Sequence, residues 1–229
     1  MYKNIKSSLL FQGLFIISLG TAIITGSLIW NINDIGYQSK SFATHNISIQ
    51  TGLNESELHD IAKSIRAYFN SSQESLDVSF PSYPEYKVFN EKEVAHMKDV
   101  KHIIHYVYGF FLFSLIYVFI FIMSYAASNN EYKRRLLDLI SLSAFCTLLL
   151  ITLFSLGMLF AFNKMFLLFH LISFNNDYWI LDPYTDYLLI LYPYPFWFNV
   201  CIRVAIMIVV PLLVLIPVPW LIKKKIKIT

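Results

Sequence analysis

Four long apolar runs and two polar stretches alternate along the chain. The apolar runs are Leu9 to Trp30, Ile103 to Ala127, Leu136 to Phe162 and Phe198 to Ile222, and none carries more than one Asp, Glu, Lys or Arg. A hydrocarbon core of ~30 Å is crossed by ~20 residues of helix, so each run is long enough to span a bilayer. Backbone in lipid has to satisfy its own hydrogen bonds, which makes helix the expected conformation. A β-barrel would show short alternating segments instead. The pattern predicts an all-α membrane protein with four transmembrane helices at 9–30, 103–127, 136–162 and 198–222, forming one integral membrane domain over 1–229.

The polar stretches, 31–102 and 163–197, carry their own signals. Asn54 followed by Glu57 is a capping-box pattern, in which each side chain satisfies the other residue's free amide. Beyond it Leu58, Ile61, Ile65 and Tyr68 recur at three and four residues, predicting an amphipathic helix over 55–69. The Ser-, Pro- and Tyr-rich residues 71–86 read as irregular chain with one short strand near Leu76–Phe80. Asn90 with Glu93 repeats the capping pattern, and with neither Gly nor Pro before Gly109 the helix it opens runs into the second membrane span. The 31–102 stretch is thus a small, mainly helical subdomain, too small for a large core of its own.

Composition agrees: 56% of residues are hydrophobic and 14% charged, against ~25% charged in a typical soluble domain. The basic residues set the topology. Lys3 and Lys6 precede the first run, Lys133, Arg134 and Arg135 join the second to the third, and Lys223, Lys224, Lys225 and Lys227 follow the fourth. The positive-inside rule places all three groups, and both termini, in the cytoplasm. The 31–102 stretch holds seven basic and ten acidic residues and 163–197 one and three, so both face outward. The net charge of +3 therefore reports topology and implies no nucleic-acid partner. The first run exceeds the 7–15 apolar residues of a secretory signal and no small-x-small site follows, so it reads as a retained anchor. Cys146 and Cys201, the only cysteines, both fall in the predicted spans, which excludes a disulfide-stapled ectodomain and a catalytic cysteine in the outer segments.

Candidate chemistry concentrates at the outer ends of the runs. His96 and Asp99 are three residues apart and share a helix face, and His102 and His105 continue the spacing. Three readings stay open: interfacial polar side chains reaching water, ligands for an ion such as Zn²⁺, or acid–base groups. An imidazole at a dry interface stays neutral and able to accept a proton near pH 7, and a carboxylate one turn away can orient it. No H-E-x-x-H is present, and residues repeating every three positions drift around a helix. In the second polar stretch His170 precedes Asn175, Asn176, Asp177, Asp182 and Asp186, set among aromatics that include Trp179. These aromatics suit either an interfacial anchor or a lid over a polar site. Arg203 lies about two turns into the fourth run, where a charge calls for a partner or a role.

Two motifs carry a resemblance. E-x-x-H-M-x-D-V-K, from Glu93 to Lys101, together with F-H-x-x-x-F-x-N-x-x-W-x-L-D-P-x-x-D, from Phe169 to Asp186 with Asn176 at its Asn, resembles the bacterial lipoprotein intramolecular transacylase family. The four-helix layout agrees over essentially the whole chain. The resemblance implies a multi-pass enzyme of the bacterial cell membrane with its site on the extracellular side. Its substrates are lipoproteins whose N-terminal cysteine carries a diacylglyceryl thioether. It moves the sn-2 acyl chain onto that cysteine's α-amine, giving the lyso-form lipoprotein. The expected catalytic pair falls on His96 and His170, with Glu93, Asp99, Lys101, Asn176, Trp179 and Asp182 in the matched motifs. His102 and His105 receive no role from it.

Ester-to-amide transfer is downhill, so the resemblance implies no cofactor and no metal. Amine and ester share one molecule, which supplies much of the proximity advantage. What remains is proton traffic, and the expectation is that His96, oriented by Asp99, takes the amine proton while His170 protonates the leaving glyceryl oxygen, or the reverse. Arg203 and Lys101 are the candidates for stabilising the oxyanion. Asp182, followed by Pro183, is expected to shape its loop, and Trp179 with the neighbouring tyrosines to exclude water. Two other classes remain open from the residues alone. A metal-dependent membrane hydrolase would use His96, Asp99, His102 and His105 as ligands. A non-catalytic membrane subunit binding lipid or protein would need only the aromatics.

Overall fold

The computed structural model describes residues 8–226; Lys3, Lys6 and Lys227 lie outside the described residues. Among the described residues four helices are long and apolar enough to cross a membrane: Leu9–Asn33, Glu91–Ala126, Asn130–Ser173 and Tyr194–Lys223. In chain order the helices are α1 (Leu9–Asn33), α2 (Ile35–Thr44), α3 (Ile47–Thr51), α4 (Glu55–Phe69), α5 (Glu91–Ala126), α6 (Asn130–Ser173), α7 (Tyr187–Leu191), α8 (Tyr194–Leu215) and α9 (Pro217–Lys223), with strands β1 (Ser79–Phe80) and β2 (Tyr83–Lys87) between α4 and α5. Among the described residues the protein is all-α apart from this hairpin. The described residues divide into two compact units, one of 8–28, 107–159 and 203–226, the other of 29–106 and 160–202.

The first unit is built from the apolar parts of the long helices. Phe15, Val118, Phe121, Tyr125, Leu136 and Leu139 form one core cluster, and Ala144, Ile151, Ile208 and Leu212 another. The rings of Phe15, Phe121 and Tyr125 stack at centroid spacings of 4.4 Å. Many of the largest apolar side chains point away from these cores, with Phe113, Phe119 and Ile120 of α5 all about three-fifths exposed. In water such a surface would be a liability, whereas lipid is the solvent it suits. Without a hydrophobic drive between helices in lipid, close approach and hydrogen bonds do the joining. Gly20 of α1 lies so near Thr147 of α6 that a Cβ there would overlap the threonine hydroxyl. Ser143 Oγ donates to the Ile16 carbonyl at 2.7 Å, and Ser141 Oγ to that of Ile216 at 3.0 Å.

The second unit surrounds α4. Its buried face is Leu58, Ile61, Ala62, Ile65, Tyr68 and Phe69, and α2 packs against it. The capping box read from Asn54 and Glu57 is formed on both sides, with the Glu57 amide donating to Asn54 Oδ1 at 3.0 Å and the Asn54 amide to Glu57 Oε2 at 2.9 Å. The Ser82 hydroxyl also donates to Glu57. Together these bonds hold the Glu57 carboxyl below the usual carboxylate range, with the Ser82 bond the largest cause. The irregular stretch contains two strands rather than one. β1 and β2 pair antiparallel with Ser79 opposite Lys87 and Phe80 opposite Tyr83, and the Lys87 ammonium meets Asp77 at 2.5 Å. The second strand was hidden because all five of its residues are exposed, which leaves no apolar alternation to read.

The Asn90–Glu93 box opens α5, and the helix continues unbroken to Ala126. In α6 the backbone leaves helical values at Ala161, with φ −141° and ψ 38°, and helix resumes to carry His170 in its last turns. α2, α3 and α7 have no counterpart in the sequence reading. The two shortest are 5 residues each, less than the two turns a periodicity needs to declare itself.

Candidate active site

His96 stands in the second turn of α5 and His170 in the last turn of α6, and the fold of the second unit brings them together. Their ring centroids are 6.1 Å apart with planes inclined at 30°. Both residues are buried, 7% and 8% exposed. Aromatic rings enclose the pair. Phe174 meets His96 edge-on at 5.0 Å, while Phe166, Trp179 and Phe169 lie 4.5, 5.1 and 5.3 Å from His170.

The two imidazoles differ in how they are held. His170 Nδ1 lies 2.7 Å from the carbonyl oxygen of Phe166, one turn earlier. A carbonyl only accepts, so Nδ1 carries the hydrogen and Nε2 of the neutral ring presents its lone pair. His96 Nδ1 is buried and has no hydrogen-bond partner among the described residues. A buried polar atom in that condition costs on the order of 1–3 kcal/mol, a cost that a bound substrate supplying the missing partner would remove.

The remaining motif residues hold the 174–188 loop against the first turns of α5. Asn176 Nδ2 donates to Asp99 Oδ2 at 2.9 Å, and the Tyr178 amide donates back to Asn176 Oδ1 at 3.1 Å. Lys92 donates to the Ile180 carbonyl. Asn90 Nδ2 donates to Asp186 Oδ1 at 2.9 Å, and Asp186 Oδ2 accepts the Asp182 amide at 2.8 Å. Asp182 Oδ1 in turn accepts the Tyr184 amide at 2.9 Å, an Asx turn that shapes the loop around Pro183. Glu93, 1% exposed, accepts the Leu188 amide at 2.6 Å on one oxygen and the Asn90 amide at 2.8 Å on the other. One carboxylate thus starts the helix that bears His96 and anchors the end of the loop that bears Trp179.

Other residues singled out from the sequence sit elsewhere. The Lys101 ammonium donates to the Gln73 carbonyl at 2.6 Å and lies 4.1 Å above the Tyr68 ring, which ties the chain after α4 to α5 and occupies the cation. Arg203 belongs to the unit of the apolar helices. His102 is exposed, and His105 Nε2 bonds the Phe69 carbonyl at 2.9 Å. Among the described residues no three of His, Cys, Asp and Glu converge as ligands for a metal ion. Asp99 accepts from Asn176 and so fastens the loop, while its charge also acts on the His96 ring. The sequence reading passed over Phe166, Lys92 and the Asn90–Asp186 contact, and gave Phe174 no role beyond its place in the motif. Asn90 and Asp186 are 96 positions apart, and no spacing rule reaches that far.

Fold and site together define a multi-pass, all-α membrane protein with an aromatic-walled histidine pair. The chain belongs to the lipoprotein intramolecular transacylase family, whose model matches residues 13–197, and so to the membrane acyltransferases. In its fold it is similar to the lipoprotein intramolecular transacylase of Bacillus cereus, at 18% identity and a TM-score of 0.80 over 94% of this chain and 96% of that one. Two structures of that protein with a histidine replaced, one by arginine and one by alanine, align at 17% identity with TM-scores of 0.76 and 0.77. They cover 94% of this chain in both cases and 92% and 94% of their own. Comparison with curated protein sequences gave no match.

Proposed function

We propose that the protein converts diacylglyceryl lipoproteins to the lyso form, moving the sn-2 acyl chain to the α-amine of the N-terminal cysteine by histidine acid–base catalysis. Family membership supports the reaction class. The observation that carries the mechanism is the buried pair of imidazoles, one with its accepting nitrogen set by the Phe166 carbonyl. In this reading His170 Nε2 takes a proton from the amine as its nitrogen attacks the ester carbonyl. The tetrahedral intermediate then expels the glyceryl oxygen, which must receive a proton. His96, with its unpartnered ring nitrogen, delivers that proton and recovers one from His170. One N–C bond forms, one C–O bond breaks, and one proton passes from nitrogen to oxygen. The assignment reverses the order favoured by the sequence, because Asp99 is bonded to Asn176 while the His170 ring has its tautomer set.

Proximity supplies much of the rate because amine and ester belong to one molecule. The ring cage around His170, with Trp179 on the loop, keeps out the water that would divert the acyl group to free fatty acid. Glu93, Asp99, Asn176 and Asp182 act as positioning residues, and Lys101 braces α5 through the Gln73 carbonyl and the Tyr68 ring. We assign the second unit to the extracellular side, with both termini cytoplasmic, because the sequence of the second unit carries thirteen acidic and eight basic residues and that of the rest of the chain two acidic and ten basic. The test is a synthetic diacylglyceryl lipopeptide incubated with purified protein in lipid. Product and substrate are isomers, so fragment spectra must locate the acyl chain. N-acyl, monoacylglyceryl cysteine made by the native protein and lost in both His96→Ala and His170→Ala supports the reading. Unchanged substrate, or free fatty acid as the sole product, refutes it.

A further inference from the structure

The first unit holds a cavity of about 410 Å³ lined by Gln12, Glu131, Tyr132, Arg134, Arg135, Asp138 and Lys223, to which the acyl-transfer chemistry gives no role. Topology alone asks only that basic residues be present at this end of the helices. It does not ask that they be turned around a cavity and fixed there, which is what the side chains do. Arg134 Nη1 donates to the carbonyls of Lys223 and Ile226 at 3.1 and 2.8 Å. Arg135 donates through Nε and Nη2 to Gln12 Oε1 at 3.0 and 2.7 Å. Both guanidinium groups are therefore oriented by neutral acceptors, which fix their geometry, and among the described residues neither forms an ion pair. Lys223 differs, since Asp138 takes its ammonium at 2.5 and 2.6 Å.

The lining holds Arg134, Arg135 and Lys223 against Glu131 and Asp138, an excess of positive charge that Lys133, Lys224 and Lys225 increase from the adjoining chain. Lys224 lies 3.3 Å over the ring of Trp220, which is 55% exposed. An exposed tryptophan beside lysines at the end of an apolar helix marks headgroup depth. Paired guanidinium groups match phosphate oxygens in geometry as well as charge, and basic pockets among membrane helices recognise anionic headgroups. At ~30 Å³ per water, the cavity has room for a phosphate and part of its shell.

We propose that this cavity binds a phosphate anion, the group that an anionic phospholipid presents at the membrane surface. Inorganic phosphate offers the same chemistry, and the experiment separates the two sources. Full-length protein is delipidated in detergent and titrated with phosphatidylglycerol, phosphatidylcholine or inorganic phosphate, with binding followed by native mass spectrometry and by the midpoint of thermal unfolding. Phosphatidylglycerol is expected to remain bound one to one and raise the midpoint where phosphatidylcholine does not. Phosphate that raises the midpoint and displaces the lipid shows the anion itself to be the ligand; binding of the lipid alone assigns the site to a headgroup. Arg135→Gln should weaken binding roughly fivefold to tenfold. Glu131→Gln, which removes a negative charge and no side-chain hydrogen bond among the described residues, should strengthen it roughly fivefold. Equal retention of the two lipids with no effect of phosphate, or Glu131→Gln and Arg135→Gln both binding as the native protein does, would overturn the proposal.

Discussion

Glu93 offers the sharpest test of how the site is held together. Its carboxylate accepts the Leu188 amide at 2.6 Å and the Asn90 amide at 2.8 Å, and it is 1% exposed. Hydrogen bonds to a charged acceptor contribute about 1.5–3 kcal/mol each. Glu93→Ala removes both and leaves two donors without a partner, so the expected cost is about 3–6 kcal/mol, reduced to the extent that water enters the space. Glu93→Gln keeps one accepting oxygen and turns an NH₂ toward the other donor, for a cost of about 2 kcal/mol. Because 1.4 kcal/mol is a factor of ten, hydrogen exchange at the Leu188 amide should accelerate roughly 30-fold in Glu93→Gln and by more than 100-fold in Glu93→Ala. The same loosening should admit water beside Trp179, so the lipopeptide assay should yield free fatty acid as a growing share of product. Amides in the interior of α4 provide the control and should exchange at the native rate. If the Leu188 amide keeps native protection in Glu93→Ala, the carboxylate does not anchor the loop and the reasoning fails.

Three further outcomes follow from other parts of the molecule. His96→Ala and His170→Ala should each lower the single-turnover rate by about 10²–10⁴, the usual contribution of an acid–base group; the native rate should fall as pH drops through the range of the amine, which titrates near ~8, while burial holds His96 down at about 4 and His170 below the usual imidazole value, so both rings stay neutral over that range. The depressed Glu57 carboxyl stabilises the folded state above the usual carboxylate range, and this contribution is lost as pH falls through the lower value of the folded protein; Asn54 amide protection should decline over that window, and Glu57→Gln should flatten the dependence. Gly20→Val should lower the unfolding midpoint through its clash with Thr147, and Thr147→Ala should restore part of the loss in the double variant, which independent sites would not do.

Much of this protein was legible in its amino-acid sequence because the governing forces are local. Apolar run length against bilayer thickness predicts the four long helices, and lipid forbids most alternatives. The Asn54–Glu57 and Asn90–Glu93 boxes close over three residues, so their pattern alone predicts where α4 and α5 begin. The two histidine motifs pointed to the family before any geometry was known. Tertiary structure decided what those residues do to one another. His96 and His170 come from different helices, and only packing brings their rings to 6.1 Å of one another among Phe166, Phe174 and Trp179. Asp99, a neighbour of His96 on the helix surface, was claimed by Asn176 from a loop 77 positions away, and Lys101 by the Gln73 carbonyl. The reason is physical: a helix fixes which residues share a face, but a polar side chain bonds whichever partner the fold delivers, and burial makes that choice costly to leave unmade.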